Sequence, residues 1–381
     1  MHIAKLSSRL LTLTALAPLS LDAQASKRPS EPPHLTATIT LDIGGADESR
    51  DAYIFGTIDG LATDASGRII VADSKDNTIR VFTADGRFVY ALGRKGKGPG
   101  DLDRPCCLTI AKDGTLWVKE YANHRYSQFR LGPTTATYVR SVRGTANSVW
   151  PSDRVDFDSK GRIVDLASAY DATTKRFRNV RLRVDSGGNV VASDTVPKPP
   201  ADSLSDVAIP IPGGTSSQAQ PFGARELHAY GANGEAAHAV SSRYAVLWVS
   251  ANGTRRALLE RPSVSAPALS DSERASAEKI LNAIARSTGI PRANLPLKIP
   301  ATKTPLKALG FDLDGRLWIE RSVADGQPNQ ADVYERNGTW SAVMQWPANV
   351  KLHHWTVRGR SGLAIAEDED GVQRVVRIAL R

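Results

Sequence analysis

The stretch RIIVADSKDNTIRVFTADGRF, residues 68–88, decides the fold because it holds two short apolar runs separated by polar turns. The first run ends in Asp73, residues 74–77 form a polar turn, and the second run, residues 79–82, leads into an Ala-Asp-Gly turn. Short apolar runs bounded by turn residues are typical of β-strands. Such a unit has one apolar face and no core of its own, so it must pack against further copies.

Further copies recur with a fixed period. A glycine that closes a turn precedes an apolar run at intervals of 47 residues, at Gly67, Gly114 and Gly161 and again at Gly315 and Gly362. One longer unit around Gly234 fits between the two groups, which brings the total to six. Four strand-like runs in about 47 residues are the size of a propeller blade. We therefore predict an all-β, six-bladed β-propeller with four-stranded antiparallel blades, in which Trp117 and Trp318 pack between adjacent blades.

The two chain ends are predicted to close the ring. The last repeat supplies three strands, at residues 354–358, 362–367 and 372–380, and is one strand short. Residues 35–43, LTATITLDI, alternate apolar and polar side chains, which is the pattern of a half-buried strand. We expect this N-terminal strand to complete the last blade as its outer strand, so that the edges are paired.

Two stretches depart from the repeat. In residues 270–286, Ser270 and Glu273 have the spacing of a capping box, and five apolar residues share one helical face: Ala277, Ile280, Leu281, Ile284 and Ala285. This predicts one helix inserted between blades four and five, either a lid on the propeller rim or a partner-docking helix. Residues 197–222 are rich in Pro, Gly and Ser, which predicts a long loop between blades three and four.

The N terminus predicts export. Lys5 and Arg9 precede an apolar stretch of twelve residues, and Ala23-Gln24-Ala25 fits a small-x-small cleavage site. We therefore assign residues 1–25 to a signal peptide, residues 26–34 to a disordered spacer and residues 35–381 to the propeller. The expected product is a periplasmic or secreted monomer without stable membrane insertion.

Composition narrows the function classes. The formal net charge of +9 favours anionic partners, but the basic residues are scattered, which also suits a solubilising surface. Only Arg94, Lys95 and Lys97 cluster, so we expect no nucleic-acid binding. The chain has only two cysteines, so apolar packing rather than a disulfide framework must hold the core.

The repeat register predicts which side chains meet at the mouth of the central channel. The residues eight positions before each glycine are polar in every blade: Asp59, Cys106, Asp153, Glu226, Lys307 and His354. Cys107 and Arg154 follow one position later. Convergent polar groups around one opening predict a polar ligand site. The alternative is that the first residues of strands are polar simply because they are exposed to solvent.

Two further chemistries are open at this mouth. Carboxylates from Asp59, Asp153 and Glu226 could begin a calcium site, but Lys307 in the same ring would repel the cation or pair with a carboxylate. A zinc site would need several converging histidines. We expect no cofactor, with calcium or zinc as the alternative. The adjacent Cys106 and Cys107 are either a vicinal disulfide or two free buried thiols.

Residues 73–82, DSKDNTIRVF, and residues 120–129, EYANHRYSQF, resemble the D-x-x-N-x-R-I-x-x-F signature of the NHL-repeat family of six-bladed propellers. The glycine-rich residues 93–105 are similar to the family's link between blades. The match is clear in the first two blades, weak in the third, and reduced to the turn and apolar run in the last three. The resemblance implies the fold, and the layout looks like exported bacterial members of unknown function.

Three function classes stay open: a binding module, an enzyme, and a structural envelope scaffold with no small ligand. Relatives include RNA-binding scaffolds, sensor domains, an amidating lyase and, more distantly, calcium-dependent lactonases. We expect a binding module that holds a polar small molecule, a glycan or a protein segment at the channel mouth. The alternative is a metal-dependent hydrolase or lyase, lactonase-like or amidating-lyase-like, that uses the same mouth.

Overall fold

The computed structural model describes residues 31–45, 50–144, 155–158, 160–171, 176–195, 205–211, 214–231, 234–250 and 256–381. The predicted signal peptide lies outside these ranges, as does most of the predicted spacer. All elements named below belong to the unit Pro32–Arg381. No helix within the described ranges is long and apolar enough to cross a membrane.

Within the described ranges, six blades of four strands form a propeller, four of them as separate antiparallel sheets and two within one eight-stranded sheet. After β1 (His34–Ile43), blade 1 contains β2 (Ile58–Thr63), β3 (Ile69–Asp73), β4 (Thr78–Phe82) and β5 (Phe88–Leu92). Blade 2 contains β6 (Pro105–Ile110), β7 (Leu116–Glu120), β8 (Arg125–Leu131) and β9 (Ala136–Arg143). Blade 3 contains β10 (Asp156–Phe157), β11 (Ile163–Asp171), β12 (Arg176–Val184) and β13 (Val190–Thr195).

The second half of the ring carries the insertions. A hairpin of β14 (Asp206–Ile211) and β15 (Gly214–Ala219) precedes blade 4, which contains β16 (Glu226–Tyr230), β17 (Ala236–Val240), β18 (Ala245–Val249) and β19 (Arg256–Glu260). Helix α1 (Asp271–Thr288) follows, and then blade 5 with β20 (Leu306–Phe311), β21 (Leu317–Arg321), β22 (Asn329–Tyr334) and β23 (Trp340–Trp346). Blade 6 contains β24 (Val350–Leu352), β25 (Ser361–Glu367), β26 (Gln373–Leu380) and β1.

An Asp-x-x-Gly-Arg turn between the first two strands explains the repeat at atomic level. In blade 1 the Asp64 carboxylate accepts the backbone N–H of Arg68 at 2.9 Å and its Nε–H at 2.7 Å. The same two bonds recur between Asp158 and Arg162 and between Asp312 and Arg316. Burial alone would raise the pKa of Asp64, but these bonds and one from Ser66 outweigh it and lower the pKa. The turn is therefore fixed by a carboxylate that stays charged.

The NHL-like signature residues also build the fold. The fully buried Asp73 carboxylate accepts the backbone N–H of Gly56 at 2.7 Å and the guanidinium of Arg80 at 3.2 Å. In blade 2, Glu120 replaces the aspartate, is equally buried, and pairs with Arg125 at 2.7 Å. A buried charge is tolerated only when it is paired and hydrogen-bonded. The signature positions are thus committed to holding the blades.

The predicted closure by the N-terminal strand is confirmed. β1 pairs antiparallel with β26, from Ala37 opposite Leu380 to Ile43 opposite Val375. Its first residues, from His34 onward, also pair in parallel with β23 of blade 5, so β1 joins the last two blades into one eight-stranded sheet. β1 therefore pairs the outer edges of both β23 and β26.

The two tryptophans pack between blades as predicted. The Trp117 ring is 4 % exposed and meets Phe157 of blade 3 edge to face, with centroids 5.6 Å apart. Trp318 is buried in the cluster that joins blades 5 and 6, and its Nε1–H donates to Asp312 at 2.9 Å. Each tryptophan therefore fills the gap between its own blade and the next.

The insertions differ in detail from the sequence prediction. Helix α1 begins with the predicted capping box of Ser270 and Glu273 and ends at Thr288. Ile280, which we placed on its apolar face, is 50 % exposed, whereas Leu281 is buried against Ile209 of β14. The stretch predicted as a long loop, residues 197–222, contains the β14–β15 hairpin. The helix and the hairpin therefore share a small core of their own.

Candidate functional site

A cavity of about 670 Å³ opens where blades 5, 6 and 1 meet. Three residues of the predicted polar ring line it: Asp59 of β2, Lys307 of β20 and His354. His354 does not lie on an inner strand as predicted, because β24 ends at Leu352 and residues His354–Thr356 form a 3-10 turn. The turn brings the imidazole into the space between blades 5 and 6.

The floor of the cavity is a buried charged network. Glu320 of β21 lies 3.1 Å from His354 Nε2 and 3.5 Å from Lys307 Nζ. Burial alone would raise the pKa of Glu320, but the hydrogen bond and charge of His354 and the charge of Lys307 outweigh it and lower the pKa. Asn329 accepts a further hydrogen bond from Lys307 Nζ at 2.8 Å. Lys307 therefore pairs with a carboxylate, which is one of the two outcomes expected for it.

Packing fixes the histidine of this network. The His354 ring is 4 % exposed and lies 5.3 Å from the Trp318 ring, centroid to centroid. A side chain at Gly310 of β20 would overlap the imidazole, so the close approach depends on glycine at that position. The network is consequently rigid before any ligand arrives.

The rim adds groups of both charges and one large ring. Arg225, Lys351, Glu367 and Asp368 line the cavity together with Trp355. The Trp355 Nε1–H is buried and has no hydrogen-bond partner among the described residues. A buried donor without a partner costs stability unless water or a ligand oxygen satisfies it.

Glu226 does not reach this cavity. Its carboxylate lies 3.1 Å from His228 Nε2, and His228 Nδ1 lies 2.9 Å from His238 Nδ1, all within blade 4. Burial, followed by the neighbouring His228 and Arg181, lowers the pKa of His238 to about 4. Arg225, one residue earlier, reaches the cavity instead and donates to the Lys307 carbonyl at 2.7 Å.

Cys106 and Cys107 are joined by a disulfide at the start of β6. Both are buried, Cys107 has a φ of +60°, and its carbonyl accepts the backbone N–H of Val155 from blade 3 at 3.1 Å. The pair packs beside Gly60 of blade 1 and is not among the residues that line the cavity. Asp153 and Arg154, the remaining predicted ring members, lie outside the described residues.

In the part of the chain that the structure describes, no three His, Cys, Asp or Glu side chains are placed to hold a metal ion. Of the proposed calcium set, Asp59 lies on blade 1 and Glu226 on blade 4, and Asp153 falls in an undescribed segment.

Glu320 is absent from the predicted polar ring, because the repeat register considers only positions on the first strand of each blade. The available signal was a charged residue at the end of the buried run LWIE. The equivalent position in blade 2 is Lys119, which makes a buried ion pair with Asp165 of blade 3 at 3.1 Å. Charged residues at the ends of second strands therefore link neighbouring blades at two places.

Comparison with known proteins agrees with this architecture. Residues 48–115 match a protein family described as "6-bladed beta-propeller". The Drosophila melanogaster protein brain tumor is 30 % identical over 113 residues, which cover 28 % of this chain. The chain spans only 10 % of the length of that relative. Together with the sheet topology, these matches show a six-bladed β-propeller with NHL-like repeats.

Similar solved structures are more distant. A Bacteroides fragilis protein named as a candidate exported protein superposes with a TM-score of 0.49 at 9 % identity, covering 91 % of this chain and 95 % of its own. Virginiamycin B lyase from Staphylococcus aureus superposes with a TM-score of 0.44 at 12 % identity, covering 91 % of this chain and 100 % of its own.

Proposed function

We propose that the protein is an exported binding module that holds a neutral, hydroxyl-rich ligand of the glycan type in the cavity between blades 5, 6 and 1. The observation that carries the proposal is the cavity wall itself, in which charges of both signs, among them the Lys307–Glu320 ion pair, lie around a tryptophan whose buried Nε1–H has no hydrogen-bond partner among the described residues. Its volume of about 670 Å³ falls within the range of about 300–1,000 Å³ that is usual for small-molecule sites.

The charges favour a neutral ligand. Lys307 is held by Glu320 and Asn329, and Arg225 by a backbone carbonyl, so none of these cations has to find its partner in a ligand. The acidic rim residues Glu367 and Asp368 would repel an anion, and Lys351 would repel a cation. Hydroxyl groups both donate and accept, and they suit a wall that offers both kinds of partner.

Trp355 supplies the apolar part of such a site. An aromatic ring can cover the C–H face of a sugar, while its Nε1–H donates to an oxygen. The preformed Glu320–His354 pair would hold its geometry when the ligand binds, which limits the ordering cost.

A glycan array followed by calorimetry tests the proposal. The variants are Asp59→Asn and Trp355→Leu, and the matched control is Asp51→Asn, since Asp51 is also exposed in blade 1's entry segment but does not line the cavity. We expect each cavity variant to weaken glycan binding about tenfold, the equivalent of one lost hydrogen bond to a ligand. An array without hits, or hits that both variants leave unchanged, would refute this function.

Metal analysis of the purified protein distinguishes the binding module from the alternative function, a metal-dependent hydrolase or lyase. That hypothesis requires stoichiometric calcium or zinc that is lost in Asp153→Ala.

A further inference from the structure

A second groove, of about 430 Å³, lies between blades 4 and 5 and shares no lining residue with the cavity between blades 5, 6 and 1. One wall is a row across blade 5, in which Arg321 of β21 stands opposite Gln330 of β22, and Gln330 opposite Gln345 of β23. The other wall is the segment from Arg261 to Pro267 that leads from blade 4 into helix α1. The helical insertion therefore creates this groove.

Two arginines share one carboxylate at the bottom of the groove. Arg261 Nη1 lies 2.7 Å from Asp332 Oδ2, which also accepts the Tyr244 hydroxyl at 2.8 Å. Arg321 Nη2 approaches the other oxygen, Asp332 Oδ1, at 3.4 Å without making a hydrogen bond. Asp332 is fully buried, so it is committed to this arrangement. One negative charge faces two positive charges, which leaves the groove with a net charge of +1.

The surplus charge has no other counterion in the groove. None of the described residues that line it is acidic, and its remaining polar groups are serine hydroxyls and glutamine amides, among them Ser265 and Gln327. Arg321 Nε is buried and makes no hydrogen bond among the described residues. Arg261 is held in place by the Trp340 ring, whose centroid lies 3.8 Å from the guanidinium carbon.

These groups match an oxyanion. A guanidinium presents donors in a planar fork that pairs with carboxylate, sulfate or phosphate oxygens, and hydroxyl and amide donors complete such a site. We propose that the groove between blades 4 and 5 binds a small oxyanion, with Arg321 and Arg261 as its charged contacts. An oxyanion would satisfy the unpaired Arg321 Nε and neutralise the surplus charge. The acidic group could belong to a free metabolite or to a larger ligand, and the chemistry is the same in both cases.

Titration calorimetry with sodium phosphate, sodium sulfate and sodium acetate at low ionic strength tests the proposal and identifies the preferred geometry. Replacing Arg261 would remove the cation that is hydrogen-bonded to the buried Asp332 and would risk unfolding. The variants are therefore Ser265→Glu and Gln327→Glu, at exposed positions of the groove. Each adds a carboxylate that competes for the arginines, and we expect anion affinity to fall at least about tenfold.

Thr137→Glu is the matched control, because it makes the same change of net charge at an exposed position on β9 of blade 2. It should leave anion affinity within about twofold of the unmodified protein, as expected for a distant screened charge. Arg321→Lys, which keeps the charge but loses the fork, should weaken phosphate and sulfate more than acetate. The proposal is overturned if none of the three salts binds at millimolar concentration, or if Ser265→Glu and Gln327→Glu behave like Thr137→Glu. Neither result depends on the glycan site, whose cavity the groove variants do not touch.

Discussion

Ile43→Ala tests the closure of the ring most directly. Ile43 is the last residue of β1 and is 2 % exposed in a cluster that joins blade 6 to blade 1 and includes Phe82, Leu363 and Val375. The substitution removes three carbon atoms, worth about 2.4 kcal/mol of transfer free energy at roughly 0.8 kcal/mol per methylene. The unfilled cavity adds to this, so the free energy of unfolding should fall by about 2–5 kcal/mol.

Ile39→Ala is the matched control on the same strand. Ile39 is 43 % exposed, so the identical substitution should cost less than about 1 kcal/mol. Any loss of intrinsic strand preference is common to both variants, and the difference between them therefore reports burial. Urea denaturation followed by tryptophan fluorescence supplies the midpoints, which convert to free energies when the slopes agree.

The reasoning fails if the two variants unfold at the same urea concentration. That result would mean that β1 does not bury Ile43 between the first and last blades in solution. A change of slope in Ile43→Ala alone would instead indicate that opening at the closure is no longer coupled to global unfolding.

Three further predictions follow from the structure. Alkylation of the unfolded protein without reductant should add no alkyl group to Cys106 or Cys107, and alkylation after reduction should add two, as measured by intact mass. Two alkyl groups added before reduction would disprove the disulfide. Lys119→Met should cost about 3–5 kcal/mol because the buried Asp165 carboxylate loses its Lys119 counterion, whereas Lys119→Met with Asp165→Leu should recover most of this loss. Equal losses in a denaturation series would contradict a buried ion pair. The pKa of His238 is about 4 in the folded protein against 6.5 in the unfolded chain, so the unfolded chain binds more protons between these pH values. The free energy of unfolding should therefore fall as the pH drops from about 6.5 to 4, and His238→Gln should reduce this dependence. Denaturation at several pH values measures it, and an unchanged pH dependence in His238→Gln would refute the prediction.

The sequence by itself determined the number of blades, the strands of the first blade, the closing strand and the capped helix, but it misplaced the first strand of the last blade, which is β24 and not residues 354–358. The blades depend on contacts between residues close in the chain or one repeat apart, so a 47-residue period records them directly. The Asp64–Arg68 turn shows why, since one carboxylate fixes a backbone turn four residues long wherever that spacing recurs. The closing strand pairs with β26 at the other end of the chain, but its own two-residue alternation marks it as a half-buried strand.

Only the tertiary structure decided which polar side chains meet. The repeat register predicts Glu226 in the polar ring, but its carboxylate pairs with His228 within blade 4. Arg225, one residue earlier, lines the cavity instead. Arg261 and Arg321 come together through Asp332 although they lie 60 positions apart in the chain, with helix α1 between them. Such pairs depend on how each blade is rotated against the next and on which of several nearby groups pairs with a given charge. A local pattern holds no record of either, because both are set by three-dimensional packing.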